Sequence, residues 1–237
     1  LPVRDLVRVC HEHGVMVVID GAHALGQIPI DVQDIAADFY VANGHKWLYS
    51  PQGSAILWVA PEKQHLVHPN IISNEGRGKT FFQLQFSYTG TKDYSPFLAM
   101  GAALDFRDSV LGGDNSIMSY MHTLASKGGD LLAKVWGTEK LVNDSFIGAM
   151  VNVRLPDDAL SCCSLDGLSA AVFARNNTWV PAFKWGGRCF MRVSAQVYNE
   201  LADFEMLAHA VLESLRFGCA LGAGEAIRRS DKSAAIV

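Results

Sequence analysis

The sequence has no apolar run approaching the ~18 residues that a membrane-spanning helix needs, and no signal-peptide pattern at its start. It has no excess of positive charge: 20 Lys and Arg stand against 24 Asp and Glu, a net charge of −4. That argues against a binding surface for nucleic acid or for an anionic membrane. Cysteine is scarce and poorly arranged for bridging or for metal. The five residues, Cys10, Cys162, Cys163, Cys189 and Cys219, are odd in number and lack metal-type spacing, which suits reduced thiols in a cytoplasmic protein. There is no internal repeat and no low-complexity tract. What remains is a globular balance, with 49% hydrophobic and 19% charged residues among 237. That is enough chain for one large domain or two modest ones.

The start also lacks something. The chain opens "LPVRDLVRVCHEHG", without an initiator Met. Val3, Leu6, Val7 and Cys10 share one helical face, Pro2 suits a first turn, and Gly14 is a natural stop. This helix leads into "VMVVID", yet a helix covering a parallel sheet normally follows an earlier strand. The expectation is the C-terminal part of a longer protein.

"VMVVI" (Val15 to Ile19), bounded by Gly14 and Asp20, reads as a strand buried on both faces. "DFYVA" (Asp38 to Ala42) reads the same way, and the segment between them is long enough for a parallel crossover. The link to "SAILWV" is short and carries the turn signal "SPQG", so that strand should run antiparallel. Residues 61–94 read as loop-rich, with "SNEGRGKT" exposed. "SPFLAMGAALDFRDSV" and "SIMSYMHTLASKGGDLLAKVW" read as helices. Short strands should follow, "GAMVNVRLP", "LSAAVFAR", "TWVPAFKW" and "CFMRVSAQ". A last helix then carries Leu201, Phe204, Leu207 and Val211 on one face, with Asn199 as N-cap. The expected organisation is a partial large domain over 1–122 and a small domain over 123–237, with a mobile tail from about residue 222.

In open α/β sheets, ligands bind at the carboxyl ends of parallel strands. Asp20 ends one such strand, and Lys46 follows the other within "NGHKW". A lysine amine there can condense with a carbonyl to form a Schiff base. If the carbonyl belongs to pyridoxal 5'-phosphate (PLP), a carboxylate is also needed to keep the pyridine nitrogen protonated. Asp20 and Lys46 suit those two tasks. Singly, a lysine after a strand is usually solvated, and an aspartate there commonly caps a helix. Single histidines such as His23 and His45 are more often packed or exposed than functional. A metal site through Asp20, His23 and His45 has no H-E-x-x-H or comparable spacing behind it, so no metal is expected.

The pattern in register decides between these readings. "VVIDGAHALGQIPIDV", "DFYVANGHKWLYSPQGSAILWV", "FSYTGTKDYSPFLAMGAALDF" and "MRVSAQVYNE" resemble the class V aminotransferase family, and most of all its isopenicillin N epimerase-like members. The resemblance implies an α/β fold, PLP-dependent fold type I, with a mostly parallel sheet, one antiparallel strand and a smaller α+β C-terminal domain. It implies a homodimer with active sites shared between subunits and a small amino-acid substrate. By the same resemblance Asp20 pairs with the pyridine nitrogen, His23 contacts the ring hydroxyl, Lys46 bears the Schiff base and His45 binds phosphate. Gly90 and Thr91 match a loop that reaches the phosphate of the other subunit's cofactor. Arg192 matches the arginine that grips the substrate α-carboxylate, a task for a planar two-pronged donor. Without the resemblance Arg192 reads as an exposed strand cation. Asn43 stands where relatives often carry a serine phosphate ligand. The resemblance also implies a preceding region with a phosphate-cradling turn and an aromatic ring stacked on the cofactor.

The protein, not PLP, chooses which Cα bond breaks. Cysteine desulfurases of this class carry a nucleophilic cysteine on a loop before the carboxylate arginine. Here that loop reads "ARNNTWVPAFKW", without cysteine. Epimerisation, transamination and C–S lyase action remain open, with a desulfurase-type enzyme the less favoured alternative. A catalytically silent dimerisation or binding module is the reading from another class.

Overall fold

The computed structural model describes residues 1–71, 80–157 and 164–217. They fall into two compact units, Leu1–Ser116 and Ile117–Val237.

The first unit opens with α1 (Val3–Glu12) and continues through β1 (Val18–Asp20), α2 (Val32–Ile35), β2 (Phe39–Asn43) and β3 (Ala55–Val59). The strand order is β1-β2-β3. β1 and β2 are parallel, with Val18 opposite Phe39 and Asp20 opposite Val41. β2 and β3 are antiparallel, with Asn43 opposite Ala55. Both directions follow from linker length. Residues 21–38 have room to cross over, with α2 started by Asp31 accepting from the Gln33 and Asp34 amides. Residues 44–54 have room only for a return.

Burial of β1 is where the sequence reading fails. Val15, Met16 and Val18 are 53%, 54% and 62% exposed. The strand shortens to three residues, and among the described residues it pairs with β2 alone. On α1, similarly, only Val7 is fully buried and Leu6 is exposed. The loop-rich expectation for 61–94 misses α3 (Phe81–Ser87), which begins at a capping box between Thr80 and Gln83. Of "SNEGRGKT" only Thr80 lies within the described residues, and it is exposed. α4 (Ser95–Ser109) follows as expected.

The second unit is built on α5 (Asp114–Trp136), which begins at the end of the first. It continues with β4 (Met150–Arg154), α6 (Leu165–Asn176), β5 (Ala182–Trp185), β6 (Arg188–Ser194) and α7 (Leu201–Arg216). Its antiparallel sheet has the order β4-β6-β5. The core joins Leu124 and Leu132 of α5 to Val151, Met191, Leu168 and Val211. "LSAAVFAR" is helix, not strand. An apolar run does not reveal its period, but Ala favours helix and Ser164 supplies an N-cap to the Gly167 amide. Glu200, not Asn199, caps α7, through a reciprocal box with Asp203, while the Asn199 side chain donates to Asp203. The expected mobile tail lies outside the described residues.

Candidate active site

β1 and β2 end side by side, and the residues after them form two adjoining turns. Gly21 extends the ladder by donating to the Val41 carbonyl at 2.7 Å. A Cβ at Gly21 would stand 2.1 Å from the Tyr40 hydroxyl, so the turn after β1 has room for glycine alone. That hydroxyl is buried with no hydrogen-bond partner among the described residues. Burial, and secondarily the Asp20 carboxylate, push the Tyr40 phenol above the ordinary tyrosine range, so it stays neutral.

Asp20 accepts from the Ala22 amide at 2.9 Å through Oδ1. His23 and Lys46 meet across the two turns, with Nε2 and Nζ 3.2 Å apart. The indole N–H of Trp47 donates to the other ring nitrogen of His23, Nδ1, also at 3.2 Å. His45 Nδ1 donates to the Ser54 carbonyl at 2.8 Å, which ties the turn to the start of β3. Asn43 is the last residue of β2.

Two further contacts hold this link in place. Ser54 donates to Ser50, which donates to the Pro96 carbonyl at the start of α4. Arg107 of α4 is 1% exposed and donates to the Trp47 carbonyl at 2.6 Å and to the Gly26 carbonyl at 3.3 Å. It pairs with Asp114, and its guanidinium lies 4.8 Å from the centre of the Tyr49 ring. Sequence reasoning missed Arg107, because an arginine in a helix ordinarily reads as a solvated one.

The structure therefore brings Asp20, His23, Asn43, His45 and Lys46 to one end of one sheet. Gly90, with φ of +96°, and the exposed Thr91 precede α4, and Tyr94 donates to the Gly90 carbonyl. Arg192 belongs to the second unit, on β6 opposite Asn152. Its Nε is buried without a partner among the described residues. It lines a cavity of about 300 Å³ together with Trp179, Tyr198 and Asp203. Arg192 is thus half-buried rather than a solvated strand cation. Cys189 is buried in β6, while Cys162, Cys163 and Cys219 lie outside the described residues. Among the described residues no group of His, Cys, Asp or Glu is arranged to hold a metal ion, and no helix is long and apolar enough to cross a membrane.

The donor set fits PLP. An aldehyde calls for a primary amine, a ring N–H for a carboxylate, a ring hydroxyl for an imidazole, and a phosphate for N–H donors. Lys46, Asp20, His23 and the pair His45 and Asn43 present those groups at the strand ends where ligands bind in such sheets.

The architecture agrees with known folds. The chain superposes on the cysteine desulfurase CsdA of Escherichia coli with a TM-score of 0.70 at 21% identity, covering 92% of this chain and 56% of that one. The fold is that of the PLP-dependent enzymes of fold type I. The profile of the family "Aminotransferase class-V" matches residues 1–207, and the chain belongs to that family, whose cofactor is PLP. It is similar to the L-cysteine desulfhydrase-like protein lolT1 of Epichloe uncinata, at 33% identity over 89% of this chain and 57% of that protein. It is also similar to isopenicillin N epimerase of Streptomyces clavuligerus, at 33% identity over 89% of this chain and 56% of that enzyme. The chain thus spans little more than half the length of these curated relatives.

Proposed function

We propose that this chain carries part of a PLP-dependent active centre that acts at Cα of an amino-acid substrate. The observation that carries the reading is the meeting of Lys46 Nζ with His23 Nε2 at 3.2 Å, beside Asp20 at the end of the parallel pair. Lys46 would hold the cofactor through Nζ, Asp20 its ring nitrogen, His23 its ring hydroxyl, and His45 with Asn43 its phosphate. Bound PLP supplies an electron sink for the pair left when a Cα bond of the substrate breaks. Lys46, once its amine is free, carries a proton to or from Cα. Arg192, half-buried and lining a cavity of the second unit, takes the α-carboxylate by the family resemblance. Gly90 and Thr91 serve the phosphate of a second subunit's site, which makes the working form a homodimer. The unpaired thiols of Cys10 and Cys189 agree with a cytoplasmic protein.

Epimerase-like chemistry is the first reading, after the resemblance to isopenicillin N epimerase. C–S lyase action is the second, favoured by the similarity to lolT1 and by the burial of Cys189 in β6, three residues before Arg192. Proton NMR of L-amino acids incubated with the whole protein and PLP in D2O tests the proposal. The Cα proton signal should be lost from accepted substrates, and Lys46→Ala should prevent the loss. Exchange that persists in Lys46→Ala would refute the assignment.

A further inference from the structure

Trp47 has no role in the reading above, yet its indole is bonded to the His23 ring. It is buried at 6% exposure, and its ring nitrogen reaches His23 Nδ1 while its neighbour Lys46 sits on the opposite nitrogen. An indole N–H can only donate. Nδ1 must therefore accept, and a neutral His23 carries its proton on Nε2, facing Lys46 Nζ. That bond needs a lone pair on Nζ, the atom that attacks a carbonyl when a Schiff base forms. An ammonium at Nζ would need a lone pair on Nε2 instead. His23 could supply that lone pair only by moving its proton to Nδ1 and breaking with the indole.

The backbone holds the indole to this task. The Trp47 carbonyl receives the 2.6 Å bond from Arg107, whose other nitrogen holds the Gly26 carbonyl of the His23 turn. At Gly26, with φ of +87°, a Cβ would stand 2.6 Å from the Trp47 oxygen. The two turns are therefore in backbone contact at the point where a single guanidinium bonds to both.

We infer that Trp47 is a positioning residue: with its peptide clamped by Arg107, its indole sets the His23 tautomer so that Nε2–H is aimed at the Lys46 amine. The inference deepens the proposed function: the tautomer is a property of the Trp47–His23 pair, and only its use in the reaction rests on Lys46 being the residue that takes the cofactor.

The test is nitrogen NMR of the whole protein labelled with 15N-histidine, recorded at a pH of about 9, above the ordinary histidine value of ~6.5. His23 is assigned by the signal lost in His23→Gln. The wild type should show His23 as the Nε2–H tautomer, and Trp47→Phe, which keeps a ring but no donor, should give a mixture. The rate at which PLP becomes fixed to Lys46 by cyanoborohydride should fall about tenfold in Trp47→Phe, the worth of one hydrogen bond. An Nδ1–H tautomer in the wild type overturns the inference whatever becomes of the variant. So does a tautomer that Trp47→Phe leaves unchanged. Fixation at a different lysine, with the His23 pattern as expected, would instead overturn the functional reading and leave the assignment of Trp47 standing.

Discussion

Arg107 and Trp47 meet through a 2.6 Å hydrogen bond from a buried guanidinium to a peptide carbonyl, across 60 residues of sequence. The same side chain reaches Gly26 and stacks on Tyr49, so one cation joins α4 to both turns of the candidate site. Replacing it with methionine would leave two carbonyls short of a donor, each worth about 1–3 kcal/mol when buried. Arg107→Met should lower stability by about 2–4 kcal/mol, read as a lower urea midpoint with an unchanged m value. Arg107→Lys should recover only part of the loss, because an ammonium lacks the planar fork that serves both carbonyls. A midpoint unmoved by either variant would show that the contact contributes nothing.

Asp38 gives the first unit an acid-sensitive joint. Burial alone would raise its carboxyl, but the amide of Val17 at 2.7 Å, His11 at 2.9 Å and Lys63 at 3.4 Å outweigh it and hold the group below the usual aspartate range. A depressed folded value means the unfolded chain takes up the proton first. The joint is therefore at full strength above the ordinary value of ~3.9 and is lost as pH falls below it. Asp38→Asn should cost about 1–3 kcal/mol at neutral pH. The gap between wild type and variant should close on acidification below about pH 4. A gap that stays constant through that window would contradict the account.

Tyr40 and Gly21 form a tight pair beneath Asp20. The Tyr40 hydroxyl is buried without a partner among the described residues and occupies the space where a Cβ of residue 21 would go. Tyr40→Phe removes an unsatisfied group and should be neutral or stabilising by up to about 1 kcal/mol. Gly21→Ala should be destabilising by about 1–3 kcal/mol through overpacking, and less so on the Tyr40→Phe background. Additive effects in this cycle would mean the two residues do not touch.

Much of the site was legible because its parts are local. Asp20 and Lys46 each follow an apolar run closely, so their placement at strand ends needed only the strands and the linker lengths. Both strand directions held for the same reason. What escaped was long-range. The exposure of Val18 depends on which strands flank β1, here β2 alone among the described residues, and no pattern within "VMVVI" encodes that. The burial of Arg107 depends on carbonyls that α4 meets only after folding. "LSAAVFAR" misled because an apolar run carries neither a period of two nor one of 3.6. The capping box from Thr80 to Gln83 is different: it was visible in "TFFQ", and reading it would have found α3.

The central claim is that Lys46 is the residue that takes PLP, and borohydride reduction of the whole protein with PLP, followed by peptide mapping, tests it most directly. One PLP per chain should be fixed to the peptide containing "NGHKWLYS", at Lys46, with none recovered from Lys46→Ala. Recovery of the label on another lysine, or full labelling of Lys46→Ala, would contradict the account.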